Sequence, residues 1–132
     1  MKIRHMSSTK RVALAPFDST IHIVVTTDPN YYVDSNGLTI WVKETPDEDI
    51  TRHTDALCFG ADKMNVYILL SPDIGPGTIA HECLHAIAHI FNWIGAKASY
   101  DDTEVFAYHV GWLTDIACKH HSKTVESYGK RK

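Results

Sequence analysis

Thr78-Ile79-Ala80-His81-Glu82-Cys83-Leu84-His85-Ala86-Ile87 is the stretch on which the reading of this chain turns. It contains His-Glu-x-x-His, a spacing whose chemistry requires an α-helix. Residues four apart on a helix share a face, with roughly 6 Å between their Cβ atoms. His81 and His85 can therefore turn two imidazole nitrogens toward one ion, each about 2.0–2.1 Å away if that ion is zinc. Glu82 lies roughly 100° round the helix from His81, close to the ion but badly placed to ligate it. That is the position of a general base acting on water. No other residue of the stretch is charged, so the helix can be buried. An amphipathic helix with two histidines four apart by chance gives the same letters; the uncharged flanks favour the metal site.

Working upstream, Ser71-Pro72-Asp73-Ile74-Gly75-Pro76-Gly77 is a cluster of breakers and reads as a loop, with Pro76 or Thr78 in the cap or first turn of the helix. Before it, Asp55–Gly60 and Asn65–Ser71 read as strands joined by a turn at Ala61–Lys63. The second places Val66, Ile68 and Leu70 on one side and Tyr67 on the other. Ile21–Thr27 is a third strand, rich in β-branched residues, which Asp28-Pro29-Asn30 breaks. Asn36-Gly37 supplies a hairpin turn, around which Tyr31–Asp34 is expected to pair with Leu38–Lys43. Glu44–Arg52 reads as a solvated acidic loop. Residues 1–10 and 122–132 read as frayed termini.

Downstream, the motif helix is expected to run to about Trp93 and end at Gly95. Asp101 and Asp102 can cap a second helix from about Thr103 to His120. Strands first and helices after give an α+β fold in a single domain, 1–132: a small, mostly antiparallel N-terminal sheet packed on two helices.

Two imidazoles do not hold zinc firmly, and a catalytic site has three protein ligands as a rule. His89 continues the stripe but lies eight residues from His81, roughly 12 Å of helical rise, so the three cannot share an ion; it reads as a packing histidine. A glycine three residues beyond His85 and a histidine six beyond it would mark the three-histidine metzincin pattern, and Ala88 and Phe91 stand there instead. The remaining source is a carboxylate near the start of the second helix: Asp101, Asp102 or Glu104. Glu104 falls inside the helix, on a stripe with Tyr108, Gly111 and Asp115. It is favoured as ligand over the alternative role of capping-box glutamate to Asp101.

With His81-Glu82-x-x-His85 and a glutamate on a following helix, the chain resembles the gluzincin type of zinc metallopeptidase. More narrowly, Thr78–Trp112 is similar to small zincin-like peptidases encoded by phages and prophages. In those, the motif helix precedes a segment reading roughly Glu-x-x-Ala-Tyr-x-x-Gly-Trp, here Glu104-Val105-Phe106-Ala107-Tyr108-His109-Val110-Gly111-Trp112. The resemblance covers about a quarter of the chain. It implies a zincin-like fold, one zinc ion per chain on His81, His85 and Glu104, and Glu82 as catalytic base. It also implies a protein or peptide substrate held along a strand at the cleft, for which Asn65–Ser71, which reads equally as a buried central strand, is the candidate, and residence in the host cytoplasm. Tyr108 and His109 are the available oxyanion donors; the alternatives are a packing tyrosine at a helix interface and a solvated histidine. Two other readings stand beside this one: a metal-binding zincin-fold module with little activity, and a zinc hydrolase of a non-protein amide.

Composition narrows the partners. At 132 residues, 44% hydrophobic and 22% charged, the chain can bury a core. A net charge of −3 gives no reason to expect nucleic acid, although Lys119, Lys123, Lys130, Arg131 and Lys132 face only Glu126 near the C-terminus. Three cysteines, Cys58, Cys83 and Cys118, with no Cys-x-x-Cys spacing, argue for a reducing compartment such as the cytoplasm. No apolar run suggests a signal peptide or a membrane span.

Overall fold

The computed structural model describes residues 5–14, 18–43, 55–95 and 103–129. Four strands, β1 (Ser7–Leu14), β2 (Ser19–Thr26), β3 (Ala56–Gly60) and β4 (Asn65–Leu70), form one sheet in the order β1-β2-β4-β3. β1 and β2 are antiparallel, as are β3 and β4, while β2 and β4 run parallel in the centre. The sheet is thus mixed, with two of its three pairings antiparallel. The fold is α+β, as the order of elements suggested.

Side-chain alternation divides the core between the two faces of the sheet. Ile21, Ile23, Cys58, Val66, Ile68 and Leu70 point to one face. There they meet Ile79, Cys83, Ile87 and Ile90 of α3 (Pro76–Trp93) and Leu113 and Ala117 of α4 (Thr103–Gly129). Val24, Leu57, Phe59 and Leu69 point to the other face, under α1 (Pro29–Ser35) and α2 (Thr39–Lys43). Strands β2 and β4 are covered on both sides, which is why they read as near-continuous apolar runs.

The pair α1 and α2 replaces the hairpin expected around Asn36-Gly37. Asp28 accepts from Tyr31 N and caps α1, and Pro29 occupies its first turn. Gly37, at φ +68°, follows the Asn36 C-cap and ends the helix. The alternation Leu38, Ile40, Val42 argued for a strand, yet Ile40 is 59% exposed while Leu38 and Val42 are buried with Trp41 packed beside them. Residues 38, 41 and 42 share a helical face, and burying that face on the sheet outweighs the short alternating pattern.

Within the described residues, 7–10 and 122–129 are more ordered than expected. Residues 7–10 belong to β1, with Val12 and Leu14 packed on the core. Residues 122–129 continue α4, where His121, Thr124 and Tyr128 are buried. The His121 ring bonds the Ser71 carbonyl, and Tyr128 Oη donates to the Val25 carbonyl at 2.9 Å. The acidic stretch 44–52 and the caps Asp101 and Asp102 lie outside the described residues. Among those described, no helix is long and apolar enough to cross a membrane.

Candidate metal centre

Helix α3 begins as its sequence dictates: Gly75 is the N-cap, Pro76 supplies a first-turn residue that needs no hydrogen bond, and Gly95 at φ +76° follows its end. Its apolar stripe, Ile79, Cys83, Ala86, Ile87 and Ile90, faces the sheet. This orientation fixes the motif: His81 is 63% exposed in its side chain, His85 is half-buried, and Glu82 is buried, only 6% exposed.

The two histidines converge. His81 Nε2 and His85 Nε2 are 3.2 Å apart, with the rings nearly perpendicular. Two nitrogens bound tetrahedrally at 2.0–2.1 Å from one zinc ion would be about 3.3 Å apart, so the rings already hold the spacing that zinc requires. The His85 pKa is lowered, first by desolvation and then by the adjacent His81. Both effects favour neutral imidazole, the form that ligates metal. Glu82 Oε1 lies 3.9 Å from His81 Nε2.

The C-terminal half of α3 meets β3 at Gly60. His89, seven residues beyond Glu82 and roughly 20° away in helical phase, has its Nδ1 3.6 Å from where a Cβ on Gly60 would lie. Trp93 covers Gly60 still more closely, with Cζ2 2.5 Å from that position. His89 is therefore a packing histidine, as its distance from His81 required, and burial lowers its pKa before the charge of His85 does. Asn65–Leu70, the strand suggested for peptide binding, is central in the sheet. Among the described residues β4 is paired on both sides and β3 on one, and β3 meets α3 at Gly60 through Trp93 and His89.

Helix α4 lies on the opposite flank of α3. The Thr114 side chain, whose hydroxyl donates to the Val110 carbonyl, lies beside the Cys83 thiol, and Phe91 meets Phe106 and His109 edge to face. The helices thus run antiparallel, and His85 projects roughly 160° away from the midline of Cys83 and Phe91. Glu104 is exposed on the first turn of α4, beyond the level of Phe91, while His85 lies roughly 9 Å along the axis in the other direction. The structure does not bring Glu104 to the histidine pair. Among the described residues, no group of three His, Cys, Asp or Glu side chains converges as a metal cage.

The proposed oxyanion donors are not at the pair either. Tyr108 is 75% exposed on α4, and the His109 ring packs on Phe91 with Nδ1 2.8 Å from the Val105 carbonyl. Burial pushes the Cys83 thiol up to about 12, so it is a neutral core residue at physiological pH. Comparison with known proteins adds no identity: no family model, no curated protein and no solved structure matches the chain.

Proposed function

We propose that the chain is a zinc-dependent metallopeptidase of the zincin type, holding one ion on His81 and His85 with Glu82 as general base. The observation that carries this reading is the 3.2 Å Nε2–Nε2 spacing of two histidines one turn apart, with a buried glutamate beside them. A bound zinc would supply Lewis-acid chemistry, polarising a scissile carbonyl and acidifying water toward a pKa of about 7. Glu82 would accept the proton of the attacking water and return it to the leaving amine. Its burial keeps that carboxylate away from bulk solvent, and β3, which among the described residues is paired on one side only, is suited to an extended protein or peptide substrate.

Glu104 enters the proposal as third ligand on its sequence position alone. Its place at the far end of α4 favours a second reading, a metal-binding module with little activity, because a two-histidine site holds zinc weakly. A zinc hydrolase of a non-protein amide would use the same residues and differ only in substrate.

Metal content of purified, untagged protein tests the reading. One zinc per chain is expected in wild type and in Glu82→Gln, with marked loss in His81→Ala and His85→Ala. Loss in Glu104→Ala would mean that the first turn of α4 rearranges on metal binding; retention would remove Glu104 from the ligand set. A folded wild type that takes up no divalent ion sinks the proposal. Peptide hydrolysis by wild type but not by Glu82→Gln would separate the peptidase from the module.

A further inference from the structure

Away from the histidine pair, β1 and the C-terminal half of α4 enclose a groove of unusual charge. One depression, about 390 Å³, is lined by Thr9, Lys10, Ile116, Lys119, His120 and Lys123. A second, about 340 Å³, shares His120 and Lys123 and continues past Ser7 and Ser8 to Thr124, Ser127 and Tyr128. No aspartate or glutamate lines either, although the chain as a whole carries a net charge of −3. Lys119 and Lys123 stand one helical turn apart, roughly 6 Å between Cβ atoms, and Lys10 faces them from β1. Among the described residues, none of the three ammonium groups has a carboxylate within 4.0 Å. The nearest acids along α4, Asp115 and Glu126, flank the lysines outside the groove.

Like charges around one groove repel one another when no carboxylate lies among its lining residues. An arrangement of this kind is relieved by an anion. The groove also holds His120 in a defined role: its Nε2 donates to the Ser8 carbonyl at 3.0 Å, which leaves Nδ1 turned to other partners. Ser7, Ser8, Thr9, Thr124 and Ser127 add hydroxyl groups that can donate to oxyanions. Both volumes fall in the range of small-molecule sites.

We propose that this groove binds a small phosphorylated ligand, its phosphate oxygens held by Lys10, Lys119 and Lys123. Two depressions sharing one lysine suit a diphosphate better than a single phosphate. A free polyphosphate and a nucleotide diphosphate present the same chemistry here. Single-stranded nucleic acid fits less well, since no exposed aromatic side chain lines the groove to stack a base; Tyr128 is buried, with its hydroxyl committed to Val25. The proposal is independent of the metal site.

Titration of pyrophosphate into the full chain, followed by amide NMR at about 20 mM salt, tests it. Saturable shifts confined to residues 7–10 and 116–128, with half-saturation below roughly 1 mM, are expected. Lys119→Gln with Lys123→Gln should weaken binding at least about tenfold per lysine. Because both side chains are at the surface, the unperturbed spectrum will report that the variant is folded. ADP binding as tightly as pyrophosphate identifies the nucleotide form, and weaker binding identifies free polyphosphate. Shifts no larger than those from chloride at equal ionic strength, or unchanged in the double variant, overturn the proposal. So does an oligonucleotide that binds where pyrophosphate does not.

Discussion

Replacing Gly60 by alanine tests the packing of the metal helix on the edge of the sheet. An ideal Cβ at Gly60 would lie 2.5 Å from Trp93 Cζ2 and 3.0 Å from Cη2, against a favourable carbon–carbon separation of about 3.5–4.0 Å. The indole must retreat by about 1 Å or the last turn of α3 must lift. Overpacking of this kind costs about 1–3 kcal/mol. Trp93 is partly exposed and so has some room to move, and alanine recovers about 0.5–1 kcal/mol by restricting the unfolded chain. The net expectation is a loss of about 1–2 kcal/mol. At about 3–4 °C per kcal/mol for a chain of this length, the midpoint of thermal unfolding falls by about 3–8 °C. Urea unfolding of wild type, Gly60→Ala, Trp93→Ala and the double variant gives the decisive number, the coupling between the two sites. In the Trp93→Ala background the added methyl should cost nothing. Equal losses with and without the indole would refute the argument, since the clash would then not be with Trp93.

Further outcomes follow from other contacts. The His22 ring is buried, stacked on Tyr67 and bonded through Nε2 to Asn65 Oδ1; desolvation lowers its pKa, the Asn65 bond opposes the shift, and Arg11 adds to it. Its folded pKa lies below the unfolded value of 6.5, so its contribution is complete above pH 6.5 and is lost as pH falls toward the folded value; His22→Gln should flatten the acid limb of a stability–pH profile. Tyr128→Phe removes the bond to the Val25 carbonyl and should cost about 1–2 kcal/mol in urea unfolding, whereas a frayed terminus would give no change. Asp28→Ala deletes the α1 cap and should cost about 1 kcal/mol, read in the same assay.

Much of the fold was legible where one interaction dominates. The strands at 19–26, 56–60 and 65–70 are apolar on both faces or alternate cleanly, and the breakers before Thr78 leave one place for α3 to start. Errors arose where a local signal had two meanings. Asn36-Gly37 serves a hairpin or a helix end equally well, because both require a left-handed residue. The β1 segment Ser7-Ser8-Thr9-Lys10-Arg11 is too polar to read as a strand, yet an edge strand buries little and benefits from charge that discourages further pairing. The end of α4 was hidden for another reason: its buried stripe continues through His121 and Thr124, polar residues that composition assigns to the surface.

The candidate site divides along the same line. His81, Glu82 and His85 were legible because their relation is fixed by a single helix, and helical geometry transfers directly from sequence to space. Glu104 depends on how two helices pack, which the separation of 19 residues from His85 does not determine. Cys83 with Thr114, and Phe91 with Phe106, set α4 on the flank of α3 away from the histidines. The sequence stripe of Glu104, Tyr108, Gly111 and Asp115 was expected to face the motif. It is exposed along its length, while Phe106, Val110, Leu113 and Ala117 do the packing. A metal that recruits Glu104 must therefore stabilise an arrangement in which the start of α4 gives up Phe106 against Phe91. That loss caps the zinc affinity a three-ligand site can gain from Glu104, and Phe106→Ala separates the possibilities. If recruitment competes with the aromatic contact, Phe106→Ala should tighten zinc binding while lowering stability in the metal-free chain. If Glu104 plays no part, the same substitution should lower stability and leave zinc affinity where it was.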